Sequence, residues 1–560
     1  MSSFNSELRT QNSELRRGAI ALACGLILVA PAGCEVFGGG THRARKTTPA
    51  KPLQQIRPLQ LEEAKDRGTD PNGRVEPIPP APAAMELTLE QCRVMALQNN
   101  LALKATLINP MLAAERIKEE KARFDAVFSA STNLNISDTP AVSYYDEIYG
   151  SQVESLYTNV GIERPLETGG SVAVRATDGR TKTDAVGTTF NPYYGSDLSF
   201  SISQPFLKNM GPSIATYGIR IAGLERQITD GRTRLEVIRL IADLDRLYWR
   251  LYAAREELNV RQKQMELARA QFDQARRLVD QGQVAPVEII RAQAGVAQRQ
   301  EAIILAENNL RNRQRELKRL INQPNLGMQT STSLMPLTDP RPIRYELKPD
   351  QLVASAVENR MEMLELELQL AQDALTIKYQ RNQSLPLITL DYTYNLNGMG
   401  ESRHDSWRML SDNQFADNRL GLSLQVPIGN EAARSRVRQA VYQKCQRLAT
   451  REDRRSQIEQ EVLNATSQLQ TNWQRIMASQ QNTILQGRVY EAEKRQFEQG
   501  LRTSTDVLNA QAGLADAQSS EISALADYQI ALVDLAYATG TLLGASNIEW
   551  QPIRPDIKGK

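Results

Sequence analysis

The chain has 560 residues, and its 67 lysines and arginines nearly balance its 65 aspartates and glutamates. A nucleic-acid-binding protein normally carries a basic excess, so this balance argues against that class. Aromatic residues make up only 6%, while Ala, Gln, Leu, Arg and Glu dominate the second half. This composition is typical of long helices with polar faces rather than of a compact aromatic core.

The N-terminal residues 1–33 are interpreted as an export signal. A polar stretch is followed by an apolar run over 18–33 that is too short to cross a membrane with ease. An uncleaved helical anchor is the alternative. The segment Pro31-Ala32-Gly33-Cys34 resembles a bacterial lipoprotein box, with Pro31 where the pattern prefers Leu, and it makes Cys34 the candidate lipidation site.

Residues 34–84 are rich in Gly, Pro and charge and are interpreted as a partly stiff tether. Beyond the signal, Cys92 and Cys445 have no disulfide or zinc-site spacing, and the only histidines are His42 and His404. We therefore expect no metal and no cofactor. No other apolar run reaches the ~18 residues of a membrane helix, so a membrane location would require a β-barrel.

The ordered part of the chain contains an internal repeat. Gln281–Gly295 returns as Gln499–Gly513, an offset of 218, and Ala96–Asn100 returns as Ala356–Arg360, an offset of 260. The 42-residue difference must be an insertion in the middle of the first copy. We assign the first repeat to 85–340, the second to 341–544 and a C-terminal tail to 545–560.

Apolar residues recur every seven positions in both copies, which predicts helices packed against other helices along their length. In the first copy these are Leu244, Leu251, Leu258, Met265, Phe272 and Val279, and a second phase runs through Ile289, Val296, Ile303, Leu310 and Leu317. The predicted long helices span 213–281 and 431–499, and the helices after the breaks span 286–321 and 504–543. A further helix opens each copy.

Between these helices the apolar period changes to two, which predicts β-strands over 125–206 and 385–428. Ile388, Leu390, Tyr392, Tyr394 and Leu396 alternate with polar residues. Such strands suit a barrel with lipid outside and water inside, and a half-buried sheet of a soluble protein has the same alternation. The export signal favours the barrel. One copy can neither close a barrel nor bury its heptad faces, so several chains are needed.

Several segments resemble the TolC family of outer-membrane efflux proteins, over residues 85 to about 544. Leu87–Cys92 is similar to the start of that family's first helix, and Phe497–Ala510 is similar to its periplasmic tip. Gln204–Leu207 and Val426–Ile428 are similar to its exits from strand to helix.

The resemblance implies a mainly α-helical fold with a membrane β-barrel. In this family three chains form one α-helical barrel and one shared β-barrel, and here each chain would contribute two tandem repeats. The implied function is passive export through the outer-membrane duct of a tripartite efflux or type I secretion system, and this duct reaches into the periplasm. The implied partners are outer-membrane lipid, a periplasmic adaptor (membrane fusion protein) and, through it, an inner-membrane pump.

The resemblance also places the periplasmic gate near Gly282 and Gly500. Glu288 and Asp506 are equivalent positions of the two copies, and we expect Arg502 to pair with Glu288 or with nearby backbone and hold the tips shut. The alternative is ordinary solvated charge. Phe497 and Asn509 also belong to the gate; they stand where the family has a Tyr and a second Asp, which argues against an acidic cation-binding ring.

The candidate adaptor contacts share a position at the hairpin tips, where exposed loops tend to carry function. They are Gly282, Val284, Ala285, Gly500, Leu501, Thr503 and Ser504. The alternative is that these small residues only fit a turn.

Two other classes of protein are compatible with parts of the sequence. The chain lacks a Walker loop, a nucleophile elbow, a dinucleotide fingerprint and a metal-spaced His cluster, so an enzyme is not expected. An exported coiled-coil adaptor or scaffold without a pore would explain the heptads, but it would leave the alternating strands without lipid to face.

Overall fold

The computed structural model describes residues 84–140, 148, 150–186, 188–499 and 501–549. The predicted signal, Cys34, nearly all of the tether, Gly500 and most of the C-terminal tail lie outside the described residues.

The elements follow in chain order. The first half contains β1 (Ala84–Leu87), α1 (Leu89–Asn99), α2 (Leu101–Thr106), α3 (Asn109–Ala122), β2 (Val127–Asp138), β3 (Gln152–Pro165), β4 (Ser171–Thr183), β5 (Tyr193–Pro205), α4 (Pro212–Ala215), α5 (Tyr217–Asp280), α6 (Val287–Ile321) and β6 (Ser333–Pro336). The second half contains α7 (Pro349–Asn359), α8 (Met361–Gln383), β7 (Leu387–Gly400), α9 (Arg403–Ser411), β8 (Phe415–Gln425), α10 (Glu431–Glu498), α11 (Ser504–Ala538) and α12 (Leu542–Ala545).

The two longest helices, α5 and α10, have 64 and 68 residues. At 1.5 Å per residue each reaches about 100 Å, and neither contains an internal proline that would break it. Their seven-residue apolar seam is buried at Leu244 and Leu251 in α5 and at Val462, Leu469 and Ile476 in α10. The heptad therefore produces the packing that it predicts.

The helices form two four-helix layers that share α5 and α10. Near the sheet the order across the layer is α3, α5, α8, α10, and toward the hairpin tips it is α6, α5, α11, α10. Arg447 pairs with Asp373 at 2.5 Å to join α10 to α8. Farther along, Asn472 donates a 3.0 Å hydrogen bond to the Asp527 carbonyl of α11. Thus α10 is the outermost helix of one side in both layers.

A single antiparallel sheet holds six strands in the order β2-β3-β4-β5-β7-β8. The repeat offsets align β7 with β2 and β8 with β5, so the β3–β4 hairpin occupies the 42-residue insertion of the first copy. In the second copy β7 pairs directly with β8. The first half of the chain thus supplies four strands and the second half two.

The sheet has one apolar and one polar face. The apolar face carries, among others, Leu134, Ile162, Val174, Phe200, Tyr392 and Leu422, and all of these are exposed in the single chain. The opposite face carries mainly Ser, Thr and Asn, for example Ser131, Asn159, Thr177, Ser201 and Thr393. Such a sheet suits apolar surroundings on one side and water on the other.

Strands were expected throughout 385–428, but the structure places the helix α9 between β7 and β8. The Ser402 hydroxyl caps it by accepting a 3.2 Å hydrogen bond from the Asp405 N–H. Ser and Asp favour such local hydrogen bonds over strand pairing, which explains the exception.

Midway along the helices, the short parallel pair β1–β6 covers a core formed by α1, α5 and α6. The Tyr248 hydroxyl donates a 3.0 Å hydrogen bond to the Leu87 carbonyl and accepts one of 3.0 Å from the Thr338 N–H. Beside it, Arg93 binds the fully buried Asp245 at 2.6 Å. This core links the start of the first repeat to the segment that leads into the second.

Candidate functional site

The α5–α6 hairpin turns at Gly282, whose φ of +69° is a left-handed conformation. The Gly282 N–H donates to the Val279 carbonyl at 2.8 Å and the Gln283 N–H donates to the Leu278 carbonyl at 2.9 Å. These two bonds form a Schellman motif, which ends helices at a residue of positive φ. A Cβ at Gly282 would meet no atom within 4 Å, so the backbone conformation alone explains the glycine.

The α10–α11 hairpin repeats one of these two bonds. The Leu501 N–H donates a 2.9 Å hydrogen bond to the Gln496 carbonyl, as Gln283 does to Leu278. Then α11 starts with a capping box: Thr503 N–H donates to Asp506 Oδ2 at 3.0 Å, and Asp506 N–H donates to Thr503 Oγ1 at 3.4 Å. Hydrogen bonds from the Thr503 N–H and hydroxyl hold the pKa of Asp506 below its usual value.

Glu288 connects the two hairpins. Its Oε2 accepts a 3.1 Å hydrogen bond from the backbone N–H of Ser504, the first residue of α11. Its Oε1 accepts a 2.6 Å hydrogen bond from Arg291. Glu288 and Ser504 are both buried. A carboxylate of the first repeat therefore satisfies a free N–H at the helix start of the second.

Arg502 does not make the expected pair with Glu288. Its Nε lies 3.3 Å from Glu493 Oε2 and donates a 3.0 Å hydrogen bond to Gln496 Oε1, both on its own hairpin. The physical reason is that the Glu288 carboxylate is already bound on both oxygens, by Ser504 and Arg291. At Glu288, the contact between the hairpins is therefore a carboxylate-to-backbone hydrogen bond and not the expected ion pair with Arg502.

The remaining predicted tip residues differ in exposure. Phe497 and Ser504 are buried, and Val284 is half-buried. The exposed members are Gly282, Ala285, Leu501, Thr503 and Asn509. Asn509 thus faces solvent one turn beyond Asp506, while Phe497 packs inside the hairpin. Gly500 and Cys34 lie outside the described residues.

Sequence reasoning missed a polar seam between the tip halves of α5, α6 and α11. It consists of Gln264, Gln271, Arg299 and Gln511, all buried. Arg299 donates a 3.4 Å hydrogen bond to the Leu508 carbonyl, and burial, followed by the charge of Arg261, lowers its pKa. Glutamine and arginine are frequent throughout these helices, so composition gave no signal that these four would be buried.

None of the helices in the described ranges is both long and apolar enough to cross a bilayer. In those same ranges no three His, Cys, Asp or Glu side chains gather in a way that could hold a metal ion.

The described residues thus form long paired helices that end in capped tips and join a two-faced sheet. The family model for the outer membrane efflux protein matches residues 171–323 and 352–541, more than half of the chain. The chain therefore belongs to the outer membrane efflux protein family. This confirms the resemblance, the efflux function and the outer-membrane location reaching into the periplasm, and the family consists of transport channels.

Curated relatives agree. The chain is 24% identical over 314 residues to the outer membrane protein TolC of Vibrio cholerae, covering 54% of this chain and 68% of that protein. It is 24% identical to TolC of Escherichia coli, covering 54% of this chain and 62% of that protein. The matched part thus spans about two thirds of these relatives.

Solved structures show the same fold. The Campylobacter jejuni CmeC outer membrane channel gives a TM-score of 0.59 at 16% identity, covering 81% of this chain and 86% of that chain. The open state of the Neisseria gonorrhoeae MtrE outer membrane channel gives 0.58 at 15% identity, covering 81% and 89%.

Proposed function

We propose that three copies of this chain form one exit duct, with a continuous helical barrel in the periplasm and a shared β-barrel in the outer membrane. The observation that carries this proposal is that the single chain has two sides whose outer strand and helices lack a packing neighbour among the described residues. One side consists of β2, α3 and α6, and the other consists of β8 and α10.

Both sides need a partner. Among the described residues, the edge strands β2 and β8 have no neighbour on their outer side in the sheet, and they are exposed along almost their whole length. The helices beside them expose apolar side chains, including Leu112, Ile304 and Leu305 on one side and Tyr442, Met477 and Ile484 on the other. Because the two sides differ, copies join head to tail, and such contacts form a closed ring when the rotation between copies closes, as it does in the proposed trimer.

The two halves of the chain support the duplicated architecture of this duct. Each half begins with shorter helices and strands. A helix of more than 60 residues follows, and after the tip comes a helix of 35 residues. The family match also falls in two segments, one in each half. Three chains would therefore line the duct with six similar hairpins.

The proposed barrel is wide. Three six-stranded sheets joined edge to edge would give roughly eighteen strands. Without the β3–β4 hairpin the number would be roughly twelve, and barrel diameter grows about linearly with strand number. The inserted hairpin would thus make the barrel about half again as wide as a twelve-stranded barrel. The polar face of the sheet would line the water-filled passage.

In the proposed duct, solutes pass without catalysis and the tips control access. We assign the closed state to the Glu288–Ser504 bond, together with the capping box of α11. We assign adaptor contact to the exposed tip residues Ala285, Leu501 and Thr503, and the adaptor would connect the duct to an inner-membrane pump.

The assembly is tested by purifying the protein from outer membranes and measuring its mass by native mass spectrometry and its conductance in planar bilayers. A trimer that forms pores is the expected result. A monomer, or a trimer without conductance, would refute the duct.

Adaptor contact is tested separately by photocrosslinking in native cells. A photoreactive residue at Leu501 or Ala285 should capture a periplasmic protein, whereas the same residue at the exposed Asp350, far from the tips in sequence and on α7, should not. Equal capture at all three positions would contradict the assignment.

A further inference from the structure

The helix α9 in the β7–β8 connection lies against one face of the sheet. The Ser406 Oγ is 2.5 Å from Ser196 Oγ of β5 and donates a 3.2 Å hydrogen bond to the Gly398 carbonyl of β7. A Cβ at Gly398 would lie 2.1 Å from the Ser406 carbonyl oxygen, so only glycine permits this approach. The contact therefore fixes α9 closely onto β5 and β7.

The contacted face is the apolar one. Gly398 pairs with Ser196, and Ser196 pairs with Asp178 of β4. Side chains alternate along a strand, so this row shares its face with Leu198 and Leu396, two residues closer to the long helices. Leu410 of α9 is buried over the same region, with its Cβ 3.1 Å from the ideal Cβ position of Gly398. Hence α9 lies on the side of the sheet that the proposed duct turns toward lipid, and not in the bore.

The row of Gly398, Ser196 and Asp178 lies at the end of the sheet that is remote from the helical layers. The strand β7 leaves α8 at Leu387 and ends at Gly400, immediately before α9. In a barrel whose helices extend into the periplasm, this is the outer-leaflet end.

The outer surface of α9 has the chemistry of a membrane interface. Trp407 is 38% exposed, and its indole N–H donates a 3.0 Å hydrogen bond to Asp178 Oδ1. Arg403 binds the other oxygen of Asp178 at 2.9 Å and Arg408 lies 3.4 Å from Asp405, yet their side chains remain 61% and 65% exposed. Tryptophan favours the headgroup level, and arginine reaches from apolar surface to charged headgroups.

We propose that α9 is an interfacial helix that contacts the phosphate-bearing lipid headgroups of the outer leaflet, with Trp407 at headgroup depth and Arg403 and Arg408 directed to the phosphates. This inference rests on the proposed duct. It assigns α9 a lipid partner and makes it the element that fixes the depth of the sheet in the membrane.

The test is depth-dependent fluorescence quenching of the full-length protein in phosphatidylcholine vesicles. Bromine is placed either near the headgroup or near the end of the acyl chain, and iodide serves as the quencher in water. The Trp407 signal is the difference between the unaltered protein and Trp407→Phe. We expect bromine near the headgroup to quench this signal at least twofold more than deep bromine or iodide.

Quenching of Trp407 mainly by iodide would place α9 in water, and absence of quenching by lipid bromine would place it away from lipid; either result overturns the proposal. As a second measurement, Arg403→Gln with Arg408→Gln should shift Trp407 quenching toward deeper bromine when 20% phosphatidic acid is present, because the phosphate contacts are lost. An unchanged depth would overturn the phosphate assignment. Conductance is recorded on the same vesicles, so a failed duct is distinguished from a misplaced α9.

Discussion

The carboxylate of Glu288 accepts a 3.1 Å hydrogen bond from the backbone N–H of Ser504, so a side chain from one helical hairpin caps the first helical residue of the other. The two residues are 216 positions apart and both are buried. This contact joins the two tips of one chain, and the proposed closed state is tested at this point.

Replacing Glu288 with Ala should loosen the tips. The change removes a hydrogen bond to a charged group, worth about 1.5–3 kcal/mol, and leaves the buried Ser504 N–H without its acceptor. The open fraction should rise roughly tenfold or more, since each 1.4 kcal/mol is a factor of ten. Single-channel conductance of the closed state is the measurement.

Two variants serve as references for that experiment. Glu288→Gln keeps an acceptor oxygen and should show a smaller increase, and Glu301→Ala removes an exposed carboxylate from the same helix and should show none. If Glu288→Ala and Glu301→Ala changed the closed-state conductance equally, the assignment of Glu288 to the gate would be wrong.

Arg502→Ala should change the closed-state conductance much less than Glu288→Ala. Arg502 pairs with Glu493 inside its own hairpin, with 48% and 22% of the two side chains exposed. Exposed ion pairs of this kind contribute about 0–1 kcal/mol. If Arg502→Ala opened the channel as strongly as Glu288→Ala, the latch would be an ion pair in the assembled duct after all.

The strand number can be counted directly. Axial electron-microscopy maps of the purified duct should show roughly eighteen strands, three times the six of one chain. A variant in which the 401–414 segment replaces residues 139–192 should join β2 directly to β5 and give roughly twelve strands and a barrel about one third narrower. If the unaltered protein formed a barrel of twelve strands, β3 and β4 would not be part of the shared β-barrel.

The buried Arg93–Asp245 pair should matter for stability. Burial raises the pKa of Asp245, opposed by the hydrogen bond and charge of Arg93 at 2.6 Å. Arg93→Met would leave a buried charge without its partner, at a cost of about 3–5 kcal/mol, whereas Arg93→Met with Asp245→Leu should recover most of it. Thermal unfolding in detergent reports both. Arg311→Met, which breaks an exposed pair with Glu307, is the matched control and should have little effect.

Asp506 should make the tips sensitive to acid. The pKa of its carboxyl is lowered in the folded chain, so its stabilising contribution is complete above the usual value of about 3.9 and is lost as pH falls through the folded pKa. Closed-state conductance of the unaltered protein should therefore rise as the pH is lowered below that usual value. In Asp506→Asn this additional rise should be absent, while Asp350→Asn on α7 should keep it. An identical pH profile in all three proteins would contradict the role of the capping box.

Much of the helical fold could be read from the sequence because the seven-residue apolar period is a strong local signal and the repeat shows it twice. The helix predicted over 286–321 is observed as Val287–Ile321, and that over 431–499 as Glu431–Glu498. The turn at Gly282 followed from glycine alone. These features depend on neighbours within one or two helical turns.

The partners of charged residues could not be read in this way. Arg502 has Glu493, Gln496 and Glu288 within plausible reach of a tip, and only packing decides among them. The helix α9 has a local cap at Ser402 and Asp405, but the residues that hold it against the sheet, Ser196 and Asp178, lie more than 200 residues earlier in the chain. Tertiary contacts of this range leave no periodic pattern.

The unpaired edges of β2 and β8 also determine how the proposed trimer assembles and dissociates. A lone chain has one β2 edge and one β8 edge to satisfy, and a pair of chains still has one of each, so the second chain leaves the number of open edges unchanged. The third chain removes both at once. Ring closure is therefore all-or-none, and a subunit can leave only by breaking two seams together, which should make the closed assembly long-lived even in detergent.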